Sequence, residues 1–375
     1  MKAGTERVMS DKMNFLATRG YDVSLVTYEQ GMHPMAFSLH PSIRYFDLGT
    51  RFFEIERYGI IKRLPLYFLL RLKFRKRLKE VLNNIQPDIV ISTTYSIKLL
   101  DIILAVNTHA HNIVESHIAC YTVKKAYDYR NSCIFQFFAK MYDKWILGKL
   151  SKADKLVVLT KGDAIDWKEY TNNIIVIPNP VTYYPKTIAS HNGANKRILC
   201  VGRLQEQKGF DMLIDAFARI AHLCEGWTID IFGDGQDKQF LMEKIRNQEL
   251  DGRIIIHPPV DDIYKEYQCS DFFVLSSRFE GLPLVLGEAM ACGIPCVAFK
   301  CKYGPEDIID DGKTGLLVEN GNTIDLSEKI LWMVKHDEER LRMGERARED
   351  IKRYEKSAIM KRWLSLFASY AEIVN

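Results

Sequence analysis

Short apolar runs of about five residues recur along the chain, separated by longer stretches whose apolar positions fall at helical spacing. In the first half, 22–28, 88–92, 112–115 and 155–160 read as buried strands. In the second half, 197–201, 228–232, 253–257, 272–275, 295–299 and 315–318 repeat the pattern. Strands that alternate with helices signify a parallel sheet covered by helices on both faces. Two such series predict an α/β protein with two doubly wound sheets. The stretch 177–193 between them is rich in Pro, Asn and Gly and lacks apolar periodicity, so the interdomain linker is expected there.

The start departs from this pattern. A doubly wound domain ordinarily opens on a buried strand, then a glycine-bearing turn, then a helix. Here Gly4-Thr5-Glu6 stands directly before a helical pattern that reaches about Arg19, Gly20 closes it, and 22–28 occupies the place of a second strand. The expectation is a first sheet without its first strand, a segment of roughly ten residues, with apolar surface at the gap. The alternative is a sheet that has one strand fewer.

Composition sets outer bounds. A chain of 375 residues suits two domains, each with its own core. Hydrophobic residues at 47% and charged residues at 27% exclude a disordered chain. The eight cysteines have no paired C-x-x-C spacing and mostly sit in apolar runs, which predicts reduced core residues and no metal site. The opening residues lack the continuous apolar stretch of a signal peptide, and the longest apolar run, 64–72, is broken by Arg71 and far short of a membrane span. A cytoplasmic protein is expected. Net charge is +4, from 52 Lys+Arg and 48 Asp+Glu, yet 1–180 carries 26 against 17 and 181–375 therefore 26 against 31.

Much of that basic excess lies in 57–79, which holds nine Lys or Arg and no acid, interleaved with Leu64, Leu66, Tyr67, Phe68, Leu69, Leu70, Leu72 and Phe74. A basic amphipathic helix of this kind can lie on an anionic membrane surface, which would place the protein peripherally at the inner face of the plasma membrane. The alternative is a helix whose apolar stripe packs into its domain while its cations are solvated. No recognised DNA- or RNA-binding module accompanies it, so no nucleic-acid partner is expected.

Two segments carry chemistry. The first, Arg278-Phe-Glu280-Gly281-Leu282-Pro-Leu-Val-Leu-Gly-Glu288, follows a strand, turns, and becomes a helix that ends at Gly293. It puts Glu280 in the turn and Glu288 about one turn into the helix, beside free N–H groups and a partial positive charge that suit a diphosphate. The second, Gly202-Arg203-Leu-Gln-Glu-Gln-Lys208-Gly209, places two cations on one loop at the carboxyl end of a strand, where open α/β sheets bind ligands. Arg can grip phosphate oxygens with two parallel hydrogen bonds and Lys adds a point charge, so the pair would offset charge growing on a pyrophosphate leaving group.

On these residues the chain resembles glycosyltransferase family 4 of the GT-B superfamily. Glu280 and Glu288 match its E-x7-E element, Arg203 and Lys208 its phosphate loop, and Gly233-Asp234-Gly235 its glycine turn. The resemblance implies two Rossmann-like domains facing a cleft: 1–180 for the acceptor, 181–356 for the donor, and a last helix, 357–375, packing back on the first. It implies that Glu280 touches the donor sugar, that Glu288 holds the ribose, and that N–H groups near Gly281 and Leu282 face the donor, with Gly233 beside them. Glu115-Ser116-His117 is similar to the family's strand-end segment, which implies that His117 reaches the transferred sugar across the cleft from Glu280. Gly4 and Thr5 would be a remnant of the loop after the first strand.

The stretch 299–309 is similar to the branch that builds capsule, O-antigen and related glycans, mostly from UDP-hexoses. The resemblance thus implies a retaining transfer of a hexose or N-acetylhexosamine from a UDP-sugar to a glycan or lipid-linked acceptor, without a cofactor. The segment Ile256-His257-Pro258-Pro259-Val260 departs from the family near the base pocket, where many relatives carry glycine, and this weakens the assignment of the base. No D-x-D segment sits at a strand end, so no metal is expected. Rival readings are a sugar-nucleotide-binding protein without turnover and a GT-B sugar-nucleotide epimerase.

Overall fold

The computed structural model describes residues 4–106, 109–125, 133–181, 183–186 and 195–371. Within the expected linker, 182 and 187–193 lie outside the described residues, as do 372–375 of the expected last helix. The chain divides into two compact units, one of Met1–Val158, Asp163–Ile177 and Arg362–Asn375, the other of Leu159–Gly162 and Pro178–Lys361.

The N-terminal unit carries strands β1 (Ser24–Thr27), β2 (Arg44–Asp47), β3 (Ile89–Thr93), β4 (His111–Glu115), β5 (Lys155–Val158) and β6 (Ile174–Val176). Its helices include α1 (Gly4–Thr18), α2 (Ile60–Ile85), α3 (Leu100–Val106) and α4 (Cys133–Leu147). The strands form two sheets, β1-β2 and β3-β4-β5-β6, parallel throughout. Strands β2 and β6 were not expected. In β2 two adjacent aromatics stand between two charges and the strand is mostly exposed, while β6 is a three-residue apolar run that leads directly into the stretch read as the linker.

Val26 and Tyr28 at β1, and Val90 in β3, pack on the same cluster of Phe74, Leu78 and Leu82 from α2, yet β1 and β3 do not pair. The Tyr28 and Ser96 hydroxyls meet at 3.2 Å, which joins the carboxyl ends of β1 and β3 through side chains alone. Thr5, at the start of α1, lies beside them, 3.4 Å from the Tyr95 hydroxyl. All residues of β1 and β3 are partly exposed, whereas Val114 and Glu115 of β4 are buried. A parallel sheet is normally covered on both faces and paired at its centre.

The C-terminal unit carries β7 (Arg197–Val201), β8 (Thr228–Phe232), β9 (Ile254–His257), β10 (Phe272–Leu275), β11 (Cys296–Phe299) and β12 (Gly315–Val318). They form one parallel sheet in the order β12-β11-β10-β7-β8-β9. The chain builds outward from β7 to β9, returns to lay β10 on the other side of β7, and continues to β12. The β7–β10 boundary is therefore the point where strand order reverses, and the crevice at the carboxyl ends there is where such sheets bind ligands. Helix α5 (Phe210–Ile220) follows β7 and buries Phe210, Leu213, Ile214 and Phe217 at helical spacing. Helix α6 (Leu284–Ala291) follows β10 and buries Leu286, Gly287, Ala289, Met290 and Ala291, which anchors it in the core.

The last helix, α7 (Lys356–Ala371), enters the N-terminal unit from Arg362 onward. There Trp363 covers Lys12, with the ammonium 4.0 Å from the ring centroid, Phe367 meets Tyr21 at 6.3 Å, and Tyr370 stacks on His111 at 4.1 Å. Among the described residues no helix is long and apolar enough to cross a membrane. Seven cysteines are described as free thiols; six are buried and Cys269 is exposed.

Candidate active site

At the switch point of the C-terminal unit, the loop after β7 and the turn after β10 are knitted together. Lys208 Nζ donates to Glu280 Oε1 at 2.6 Å, and Ser277 Oγ donates to the same oxygen at 2.7 Å. Both bonds fall on Oε1, so among the described residues Oε2 is left to accept from a ligand. Glu280 is 9% exposed, enough for an atom facing the crevice and too little for a solvated surface carboxylate. Its charge helps push the buried Cys301 thiol up to about 12, after the larger effect of burial.

The backbone fixes this pairing. Arg278 N–H donates to the Gln207 carbonyl at 2.8 Å, Gln207 Nε2 to the Phe279 carbonyl at 3.0 Å, and Ser276 Oγ to the Lys208 carbonyl at 3.0 Å. The Arg278 guanidinium grips Asp211 with two bonds of 2.8 and 2.6 Å and the Glu206 carbonyl with a third at 2.6 Å. Bidentate contact of this kind sets angle as well as distance. Gly209 is left-handed at φ 61°, and a Cβ there would stand 2.0 Å from the Ser276 oxygen, so a side chain would force the two loops apart.

The glycine turn is held in the same way. Gly202 N–H bonds the Phe232 carbonyl and Leu204 N–H the Asp234 carbonyl. A Cβ on Gly233 would lie 1.9 Å from the Gly202 oxygen, and one on Gly235 2.3 Å from the Leu204 oxygen. The glycines are needed because two loops at adjacent strand ends touch backbone to backbone. Arg203, by contrast, is exposed, and its guanidinium enters no ion pair among the described residues. Gly281 and Leu282 continue the turn into α6, whose first N–H groups have no intrahelical partner. Glu288 accepts from the buried Tyr267 hydroxyl at 3.3 Å. In the segment that departs from the family, His257 stacks on Phe232 at 4.5 Å and its Nε2 bonds Asp230.

The N-terminal unit holds a separate polar cluster. Glu115, at the end of β4, pairs with Lys12 of α1 and, through Oε2, with His117 Nε2 at 2.9 Å. All three side chains are 3–4% exposed. Burial pushes the Lys12 ammonium down to about 7. Burial, then the Lys12 charge, pushes His117 down to about 3, so its ring is neutral at physiological pH. Among the described residues His117 Nδ1 has no hydrogen-bond partner. The ring is thus enclosed and turned toward Glu115, and a hydroxyl could reach Nδ1 only once it is uncovered. Gly4 and Thr5 begin α1, with Thr5 at Tyr95.

The structure therefore gathers Arg203, Lys208, Gly233, Glu280, Gly281, Leu282 and Glu288 in one unit and leaves His117, Gly4 and Thr5 in the other. Sequence reasoning missed Ser277, Gln207 and the Arg278–Asp211 clamp, although Arg278 and Asp211 stand in the segments singled out. Lys12 was missed because a lysine on an amphipathic helix ordinarily reads as solvated. Among the described residues no group of three His, Cys, Asp or Glu could hold a metal ion.

A six-stranded doubly wound unit with a cation–carboxylate turn at its switch point, preceded by an α/β unit of parallel strands, defines a GT-B glycosyltransferase. The family described as Glycosyltransferase Family 4 matches residues 3–183, and the one described as Glycosyl transferases group 1 matches 186–350. The chain belongs to glycosyltransferase family 4. It is 29% identical over 365 residues to an uncharacterized glycosyltransferase of Haemophilus influenzae, covering 96% of this chain and 95% of the relative. It is 26% identical over 376 residues to the amylovoran biosynthesis glycosyltransferase AmsD of Erwinia amylovora, covering 96% and 94%. Among solved structures it is similar to a point mutant of S. aureus TarM in complex with fondaparinux, alpha-GlcNAc-glycerol and UDP. That match has a TM-score of 0.64 at 25% identity and covers 78% of this chain and 58% of that one. Sucrose-phosphate synthase from Thermosynechococcus elongatus shares the fold along nearly the whole chain, with a TM-score of 0.78 at 19% identity over 99% and 94%.

Proposed function

We propose that the protein is a retaining glycosyltransferase of surface-glycan biosynthesis that moves a hexose or N-acetylhexosamine from a UDP-sugar to a glycan or lipid-linked glycan. The observation that carries this reading is the Lys208–Glu280–Ser277 constellation, with Glu280 Oε2 left to accept from a sugar hydroxyl. The amylovoran enzyme supports the glycan pathway, and the UDP complex of the TarM mutant supports the base. Contact of 57–79 with a membrane surface belongs to the same reading, because a lipid-linked acceptor is presented there.

In this mechanism Arg203 and Lys208 balance the diphosphate without a divalent metal, and the N–H groups at the start of α6 add positive potential. Glu280 accepts from the donor sugar and Glu288 from the ribose. The bond between the anomeric carbon and the phosphate oxygen breaks as the acceptor oxygen bonds to that carbon from the same face. The acceptor proton passes to the departing phosphate oxygen, so no enzyme carboxylate need become covalently attached. His117 acts through Nδ1 on the acceptor side once uncovered.

A thermal-shift panel of nucleotide sugars, followed by UDP-release assays with lipid-linked glycans, tests this. Stabilisation by a UDP-sugar and UDP release that depends on acceptor are the expected results. Binding without release with any acceptor would indicate a non-catalytic protein, and conversion of the donor sugar without acceptor an epimerase.

A further inference from the structure

We infer that Tyr267 is a positioning residue for the nucleotide: its buried hydroxyl holds the Glu288 carboxylate in the orientation in which it accepts from the ribose. The inference rests on the reading that Glu288 meets the ribose, and it adds a residue that the sequence did not single out.

Tyr267 stands on the short helix Ile263–Gln268, which leads from β9 into β10, and its side chain is fully buried. The hydroxyl lies 3.3 Å from Glu288 Oε2 and 3.3 Å from the Val285 carbonyl, both on α6. A phenol has one hydrogen to give, and the Val285 carbonyl lies inside a helix whose own N–H groups serve it. The carboxylate is the stronger acceptor, because a hydrogen bond to a charged group outweighs one to a neutral carbonyl. Burial, then the charge of Glu288, holds the Tyr267 hydroxyl well above its ordinary pKa, so it keeps its proton and donates.

The hydroxyl is fixed from behind. The Tyr267 ring meets Phe273 of β10 at 5.9 Å and Tyr264 at 6.2 Å between centroids. Its helix is pinned to the sheet through Arg197 of β7, whose guanidinium pairs with Glu266 at 2.8 Å. Just past the helix, Asp271 N–H donates to the Arg197 carbonyl at 2.8 Å, and Arg197 N–H donates to the Asp271 carboxylate at 3.1 Å. Ser270 N–H closes the turn on the Tyr267 carbonyl at 3.1 Å. The ring therefore stands on the strand that begins the site's phosphate loop and on the strand that ends in its carboxylate turn.

Glu288 gains from such a partner. It is half-buried, and its three side-chain torsions leave it several orientations, only some of which aim the carboxylate at a ligand. Restricting them before the nucleotide arrives removes that ordering cost from binding. A tyrosine that served the core alone would need only the Val285 carbonyl. The second acceptor at the same distance is what ties it to the site.

Calorimetric titration of the full chain with UDP, ADP and GDP, each beside the counterpart that lacks both ribose hydroxyls, tests the inference. The wild type should bind one of the ribonucleotides and lose about tenfold or more with its dideoxy counterpart. Tyr267→Phe should weaken the ribonucleotide about fivefold and leave the dideoxy form unchanged. The phenylalanine keeps the ring between Tyr264 and Phe273, and thermal unfolding should report a folded variant. Glu288→Gln should reduce the discrimination between the two forms, and adding Tyr267→Phe to it should reduce it no further. Equal weakening of both forms in Tyr267→Phe, no weakening of either, or a variant that does not fold would refute the role of Tyr267 and leave the ribose reading standing. Equal binding of both forms by the wild type, or binding of none of the nucleotides, would refute that reading and the inference with it.

Discussion

Lys208 Nζ lies 2.6 Å from Glu280 Oε1, although the residues are 72 positions apart in the chain. The contact exists because β7 and β10 are neighbours in the sheet and their following loops share one set of backbone hydrogen bonds. It joins the group assigned to the leaving phosphate with the group assigned to the sugar, so the two should act as a unit. Lys208→Ala should lower turnover about 100-fold or more, the scale of losing one preorganised electrostatic contact, and Arg203→Ala should do the same. Glu280→Gln combined with Lys208→Ala should cost clearly less than the two single losses added. Steady-state UDP release measures all of these, and single variants within about threefold of wild type would remove the residues from the site.

The Arg278–Asp211 clamp should matter for stability and for binding. Its side chains are 30% and 24% exposed, and it ties the two loops at three acceptor atoms. Arg278→Ala should destabilise the C-terminal unit by about 1.5–3 kcal/mol, the range for hydrogen bonds to a charged group. It should also weaken nucleotide binding, because Lys208 and Glu280 lose their common support. Denaturant unfolding and calorimetric titration with UDP check the two effects separately. Unchanged binding in a destabilised variant would limit the clamp to a structural role.

Close backbone contact predicts a sharp difference between glycines. Gly233→Ala places a methyl group against the Gly202 carbonyl and should cost about 2 kcal/mol or more, along with activity. Gly148→Ala meets no atom within 4 Å and should change stability by less than about 0.5 kcal/mol. Thermal unfolding of the two variants makes the comparison.

The enclosed His117 gives a signed pH dependence. In the folded protein its pKa is lowered to about 3, whereas the unfolded chain protonates near the ordinary value of 6.5. Between these values the unfolded state binds more protons, so the contribution is fully present above pH 6.5 and is lost as pH falls toward 3. From about pH 6.5 to about pH 5 the wild type should lose about 1.5 kcal/mol more stability than His117→Gln. Parallel loss in both proteins would mean that the ring is not enclosed as the structure has it. Activity of His117→Ala tests the separate proposal that Nδ1 meets the acceptor, since undiminished transfer would exclude it.

The unpaired edges of β1 and β3 should be visible in hydrogen exchange. Among the described residues their outward amides lack strand partners, although both strands lie over the same apolar cluster. Exchange at these positions should be much faster than in β7 and β10, which are paired on both sides. Equal protection would mean that another segment closes the gap.

Much of the molecule was legible from the chain alone. The apolar runs located ten strands and the parallel α/β class, because a buried parallel strand must be apolar on both faces, but not the split of the N-terminal strands into two sheets. The two strands it missed, β2 and β6, lack that demand: one is exposed and charged, the other only three residues long. Glu280, Glu288, Arg203 and Lys208 could be proposed from the chain because they sit in dense motifs at strand ends. The clamp of Arg278 on Asp211 was not, since neither residue differs in type from a solvated surface charge.

Local patterning thus determined which segments are strands and helices, where the linker was to be sought, and which loops carry charge fit for a phosphate. Tertiary structure decided which loops meet. Strand order is a long-range property, set by how helices pack across both faces of a sheet, and only that order makes β10 the neighbour of β7 and Glu280 the partner of Lys208. The same holds in the N-terminal unit. The sequence offered His117 as a polar residue at a strand end, and the fold then buried it against Glu115, itself paired with Lys12 of α1, so its charge state follows from neighbours that spacing along the chain does not reveal.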